Sequence, residues 1–321
     1  MRVVPLALGL AISGCAQSHL IDSRDAGGSP DAGVVTCDPE GPLNCRATLA
    51  VPMGDFVLGD PSPPRDILFL TAVPAFQATQ TTDRWINTYE STNGCFAACV
   101  REGACHSLDV FPTYVVPNDP TSGDIWAQDE YANRAANLTF PGAERFCEWL
   151  GGRVVNEAEW MRMARGDDGR VLPWATGPFD PFDPDALPGE PGLMEVVGAS
   201  WRPEFDLQVE DVGENPTDVG PFGHHGVAGL SAEWTRDAAL PYEVSDYTDP
   251  FAAVPPNCED CIWRVVVGNW FTTDPTPDIR SRGYGVTTDF SDGSPIDISG
   301  HVGYSTRCVF DQPPPPYCRP E

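Results

Sequence analysis

Apolar residues fall in short runs along this chain, and their period switches between that of a strand and that of a helix. Strand character runs from Leu49 to Leu58, interrupted at Pro52 and Gly54, and returns from Ile67 to Ala78, broken at Pro74. Thr81 to Tyr89 reads as a helix start, with Thr81 or Thr82 as cap and Trp85, Ile86 and Tyr89 turned inward. Between Cys147 and Trp174 the pattern predicts two short helices joined by a turn. The first ends near Leu150, where Gly151 and Gly152 supply a left-handed cap. The second opens on a capping box, Asn156 with Glu159, and closes at Gly166. Trp149, Trp160, Met163 and Ala164 are the apolar residues of the two helices available to a core. A Val-rich strand follows from Trp263 to Trp270, and the four prolines at 313–316 predict an extended end. Many short strands, broken by turns, around a few helices make this an α+β chain, low in regular secondary structure.

Composition sharpens that picture. With 31 glycines and 34 prolines in 321 residues, long regular elements are not expected, and a 41 % apolar fraction still supports a core. Residues 175–218 hold prolines at 178, 181, 184, 188 and 191 with acids between them. This long Pro/Asp-rich loop reads as a surface excursion of a single domain spanning 37–321. The formal charge of −28, from 47 acidic and 19 basic residues, repels nucleic acid and anionic headgroups, so no nucleic-acid partner is expected.

The first residues give an address. Arg2 followed by an apolar run from Val3 to Ile12 reads as a signal peptide over residues 1–14, too short to span a bilayer. Ile12-Ser-Gly-Cys15 resembles a bacterial lipobox, which makes Cys15 the lipidation site and the membrane a partner through its lipid anchor. Residues 15–36 form a flexible tether of Gly, Ser, Asp, Ala and Pro. The expected location is the cell envelope, at the outer membrane or cell surface. Setting Cys15 aside, the 11 cysteines leave an even number for disulfides in an exported chain. Cys99 and Cys105 flank a short turn and make a local pair, whereas Cys258 and Cys261 form a lone Cys-x-x-Cys without the second pair that zinc requires.

Four stretches, in order, resemble the sulfatase-modifying factors, the formylglycine-generating enzymes. Val51-Pro-Met-Gly-Asp-Phe-Val-Leu-Gly59 is similar to the family's opening strand. Cys147-Glu-Trp-Leu-Gly-Gly-Arg, with Glu157-Ala-Glu-Trp160 and Arg165-Gly166, is similar to its central run. Gly229-Leu-Ser-Ala-Glu-Trp-Thr235 resembles Gly-Asn-Val-x-Glu-Trp-Thr, and Ser305-Thr-Arg-Cys308 resembles the closing Gly-Phe-Arg-Cys. The resemblance covers roughly 47 to 310. It implies a variant of the C-type-lectin fold, a disulfide between Cys147 and Cys308, and an oxidase that converts a sulfatase cysteine to formylglycine at a two-cysteine copper(I) site.

The chemistry departs from that pattern. The two cysteine positions fall near Thr273 and Asp278, and no cysteine occurs between Cys261 and Cys308. A hydroxyl and a carboxylate cannot replace the soft thiolates that copper(I) prefers, so copper is not expected. The resemblance also implies calcium, with Glu233, Gly229 and Ser231 as candidate ligands. Gly226 and Leu230 stand where side-chain oxygens belong, which predicts a weakened calcium site. The missing thiols favour a non-catalytic binding or scaffold module with a protein or carbohydrate ligand, a pseudoenzyme. The alternatives are an active formylglycine-generating oxidase and a lectin-like ligand binder.

Overall fold

The computed structural model describes residues 44–59, 75–110, 126–170, 173, 211–216, 218–240, 247–255, 263–268 and 304–317, and the backbone of 282–286. Contacts divide the chain into units at residues 1–36 and 37–321, and the described residues belong to the second. It is a mixed α+β fold with short elements. In chain order these are β1 (Thr48–Val51), β2 (Gly54–Leu58), β3 (Phe76–Gln80), β4 (Arg84–Asn87), α1 (Asn93–Arg101), α2 (Phe140–Leu150), β5 (Arg153–Val154), α3 (Glu157–Arg165), β6 (Glu233–Ala238), β7 (Trp263–Val267), β8 (Arg282–Val286), β9 (Ser305–Thr306) and β10 (Cys308–Phe310).

One sheet has the order β1-β4-β10-β5, a second β8-β7-β6-β9, and β2 pairs with β3 as a hairpin. Thr81–Tyr89 corrects the sequence expectation: instead of starting a helix, it carries β4. Ile86 pairs with Leu49 on one side and Val309 on the other and is fully buried. Trp85 and Ile86 suit a pleated, two-sided position, and these long-range pairings override the local cap signal. The helix begins later, where the Thr92 hydroxyl accepts from the Cys95 N–H at 3.3 Å.

The central run folds as its local signals require. The Thr139 hydroxyl caps α2 by accepting from the Gly142 N–H at 3.1 Å, and Gly151, at φ 85°, ends it in the left-handed conformation. Asn156 and Glu159 close a reciprocal capping box on α3, Glu159 Oε2 accepting from the Asn156 N–H at 2.9 Å. The connection is more than a turn, because β5 within it pairs with β10. Trp160, Met163 and Ala164 are buried, while Trp149 is half-buried and donates to Glu102 at 2.8 Å. At the end of α3, the buried Arg165 donates to the carbonyls of Val57, Gly59, Gly169 and Arg170, tying the helix to β2.

Cys147–Cys308 bridges 161 residues and fixes α2 to β10, Cys99–Cys105 closes the turn after α1, and Cys45–Cys95 ties the first described residues to α1. Gly152 lies where those layers meet. A Cβ there would stand 2.7 Å from the Val309 carbonyl oxygen and 2.8 Å from the Phe310 ring. Gly152→Ala is therefore expected to cost about 1–3 kcal/mol through overpacking, read as a lower urea midpoint at unchanged slope.

Candidate functional site

Of the functional positions expected from sequence, Glu233 lies in a buried charge cluster. β6 and β9 run parallel, with Glu233 opposite Ser305 and Trp234 opposite Thr306. That register sets Glu233 beside Arg307, the residue between β9 and β10. Arg307 Nε donates to Glu233 Oε1 and Oε2 at 3.0 and 3.1 Å. Its Nη1 donates to the carbonyls of Asn87 and Thr88 at 3.3 and 2.9 Å, and its Nη2 to those of His225 and Gly226 at 2.5 and 3.2 Å. Both side chains are sealed from solvent, at 0 % and 1 % exposure. A buried charge is tolerated only with such complete pairing.

Two further carboxylates and a histidine surround the pair. The Asp218 carboxylate accepts from the Ala228 N–H at 2.8 Å, bracing the 226–229 loop, and burial pushes its pKa up to about 6. Burial, then the nearby Glu233 charge, raises the Glu90 carboxyl well above the usual carboxylate range. Glu90 Oε2 would stand 3.3 Å from a Cβ at Gly226, whose φ of 68° favours glycine. Burial, reinforced by Arg307, pulls the His224 pKa down to about 3, so its imidazole is neutral. His225 stacks on Tyr89 with centroids 5.2 Å apart.

The cluster joins four distant segments: the end of β4, the 218–226 loop, β6 and the β9–β10 junction. Each Arg307 nitrogen is committed, and Glu233 spends its charge on the guanidinium. A divalent cation on Glu233 would have to share that carboxylate with a fixed positive charge, an unfavourable arrangement. Of the other calcium candidates, the Ser231 hydroxyl donates to Asn137 Oδ1 and to the Ala232 carbonyl, both at 3.1 Å. Gly229 is half-buried beside Leu230, which adopts a left-handed φ of 59°. Asn and Gly accept that conformation more readily than Leu. Leu230 holds it while packing with Ala135, Val212 and Tyr89. Among the described residues no group of three or more His, Cys, Asp or Glu side chains is placed to hold a metal.

Copper(I) also finds no fitting donors there: the six cysteines among the described residues are all disulfide-bonded. Thr273 and Asp278 fall between β7 and β8 in the sequence and lie outside the described residues; Cys15, Cys258 and Cys261 lie outside them too. Sequence reasoning marked Glu233 and the Ser305–Cys308 motif, but not Glu90, Asp218, His224 or the role of Arg307. The available signal was scarcity: with 19 basic residues against 47 acidic ones, an arginine inside a motif flanked by core strands invites a buried partner.

Known proteins resemble this chain to different extents. The family model described as Sulfatase-modifying factor enzyme 1-like domain matches residues 35–293. PvdO from Pseudomonas aeruginosa superposes with a TM-score of 0.57 at 17 % identity, over 82 % of this chain and 93 % of that one. Treponema denticola variable protein 1 gives a TM-score of 0.49 at 12 % identity, over 81 % of this chain and 94 % of that one. The uncharacterized protein YfmG of Bacillus subtilis is 27 % identical over 138 residues, 37 % of this chain, and the match spans only 27 % of the length of YfmG.

Proposed function

This chain belongs to the sulfatase-modifying factor enzyme 1-like domain family, and from that membership we propose that it is a non-catalytic member, a lipid-anchored binding or scaffold module of the cell envelope. The observation that carries the proposal is that no cysteine occurs between Cys261 and Cys308, the stretch in which the oxidase thiol positions fall, near Thr273 and Asp278. Every described cysteine being held in a disulfide supports it. The buried Glu233–Arg307 pair supports a second part of the reading, that the family motifs are kept here as a frame and that Glu233 is not a calcium ligand. The export signal and the lipobox ending at Cys15 supply the address.

Calorimetric titration of the chain from residue 37 onward with copper(I) and, separately, with calcium tests this. The expected result is no stoichiometric copper(I) binding and no calcium binding that Glu233→Gln abolishes. Stoichiometric copper(I) binding would return the protein to the oxidases, with Cys258 and Cys261 the first residues to replace. Conversion of a cysteine-containing sulfatase peptide to formylglycine, read by mass spectrometry, would do so outright.

A further inference from the structure

Beyond β10 the chain runs as a strap of fixed shape. Residues 313–316 are consecutive prolines, whose rings hold φ at about −65°. Each residue from Gln312 to Pro315 also precedes a proline, which drives its ψ into the extended range. Together these angles define a polyproline II helix, with three residues per turn and no internal hydrogen bonds. Burial follows the same period: Pro314 and Tyr317 are half-buried, whereas Gln312 and Pro315, and likewise Pro313 and Pro316, are exposed. One ridge of the helix therefore faces the domain and the other two face solvent.

Both ends of the strap are tied down. Asp311, directly after β10, accepts from Arg84 Nη1 at 3.1 Å. At the other end the Tyr317 N–H donates to Asn44 Oδ1 at 2.7 Å, and the Tyr317 carbonyl accepts from the Cys45 N–H at 2.9 Å. The Tyr317 ring meets the Trp149 ring edge-on at 4.9 Å, and its phenol donates to Glu102. Residues 312–316 are thus held in shape before any partner arrives, which removes part of the ordering cost of binding. A proline ridge is apolar and has no N–H to donate, so the surface that complements it is a groove lined with aromatic rings. Pro313 and Pro316 lie on one outward ridge about 9 Å apart, the Pro-x-x-Pro spacing that such grooves read. We propose that the two exposed ridges of residues 312–316 are the docking surface for a partner protein with an aromatic-lined groove. Asp311 is exposed beside them in a chain of formal charge −28, so a basic rim to that groove fits best. This surface goes beyond the binding-module reading above and does not depend on whether the chain holds copper.

The test is calorimetric titration of the purified full chain with an isolated SH3 domain selected for binding to the synthetic peptide of residues 311–317. The folded chain is expected to bind that domain at least as tightly as the peptide does. Replacing both Pro313→Ala and Pro316→Ala should weaken binding by about tenfold or more at an unchanged melting temperature. A folded chain that binds more than about tenfold more weakly than the peptide would overturn the proposal, because the ridges would then be covered. Undiminished affinity in the double variant would overturn it as well, by placing the contact elsewhere. Should the double variant melt early, Pro315→Ala, a single change on the other outward ridge, gives the same two readings. Failure here leaves the non-catalytic reading standing, and copper(I) binding would leave the docking surface standing.

Discussion

Replacing Arg307 with Met is expected to lower the stability of the domain by about 3–5 kcal/mol, the cost of removing one partner from a buried ion pair. The loss is large because one side chain serves six acceptors: both Glu233 oxygens and the carbonyls of Asn87, Thr88, His225 and Gly226. Without it, Glu90, Asp218 and Glu233 remain buried without a facing cation. Since a domain's total stability is on the order of 5–15 kcal/mol, the variant stands at the edge of folding. Guanidinium or urea denaturation of the soluble fraction reads the change. Adding Glu233→Leu to Arg307→Met should recover part of the loss, because the stranded charge goes with it. An Arg307→Met protein within about 0.5 kcal/mol of the parent, the usual range for surface changes, would mean the cluster is not the brace described here.

The second large effect is expected at Trp234. Its side chain is 1 % exposed, packs edge-on against Phe140 and Tyr304 at 5.6 and 4.9 Å, and donates its indole N–H to the Leu138 carbonyl at 2.8 Å. Trp234→Ala should cost about 3–5 kcal/mol through the cavity it leaves. Trp234→Phe keeps much of the apolar volume but removes the donor, for a smaller cost of about 1–3 kcal/mol. Thermal unfolding followed by circular dichroism should rank the three proteins in that order, and equal losses for Phe and Ala would assign the effect to the hydrogen bond instead of the packing.

What could be read from the sequence was what its neighbours decide. The end of α2 and the start of α3 were legible because Gly151, and Asn156 with Glu159, act across three or four residues at most, whereas the Thr139 cap of α2 was not read. β4 was not, because Thr81 and Thr82 imitate a helix cap locally. Its true partners, Leu49 and Val309, sit far away along the chain in both directions. The candidate site divides the same way. Glu233 and the segment ending at Cys308 were recognisable as motifs. That Glu233 faces Arg307 depends on the parallel register of β6 and β9, which no local pattern encodes. Glu90 follows a tyrosine in an ordinary polar stretch, and only burial makes it unusual.

The strand order β1-β4-β10-β5 carries a consequence for how the protein is made. The last of the described strands to be synthesised is not an edge but an interior member, inserted between strands the cell has produced much earlier. Until Cys308–Phe310 emerges, β4 and β5 each present an unsatisfied border, the kind of surface on which other chains pair. The nascent first sheet thus waits for β10, and a premature stop before position 307 would remove the keystone of that sheet, the cation of the charge cluster and half of the longest covalent bridge among the described residues in a single event.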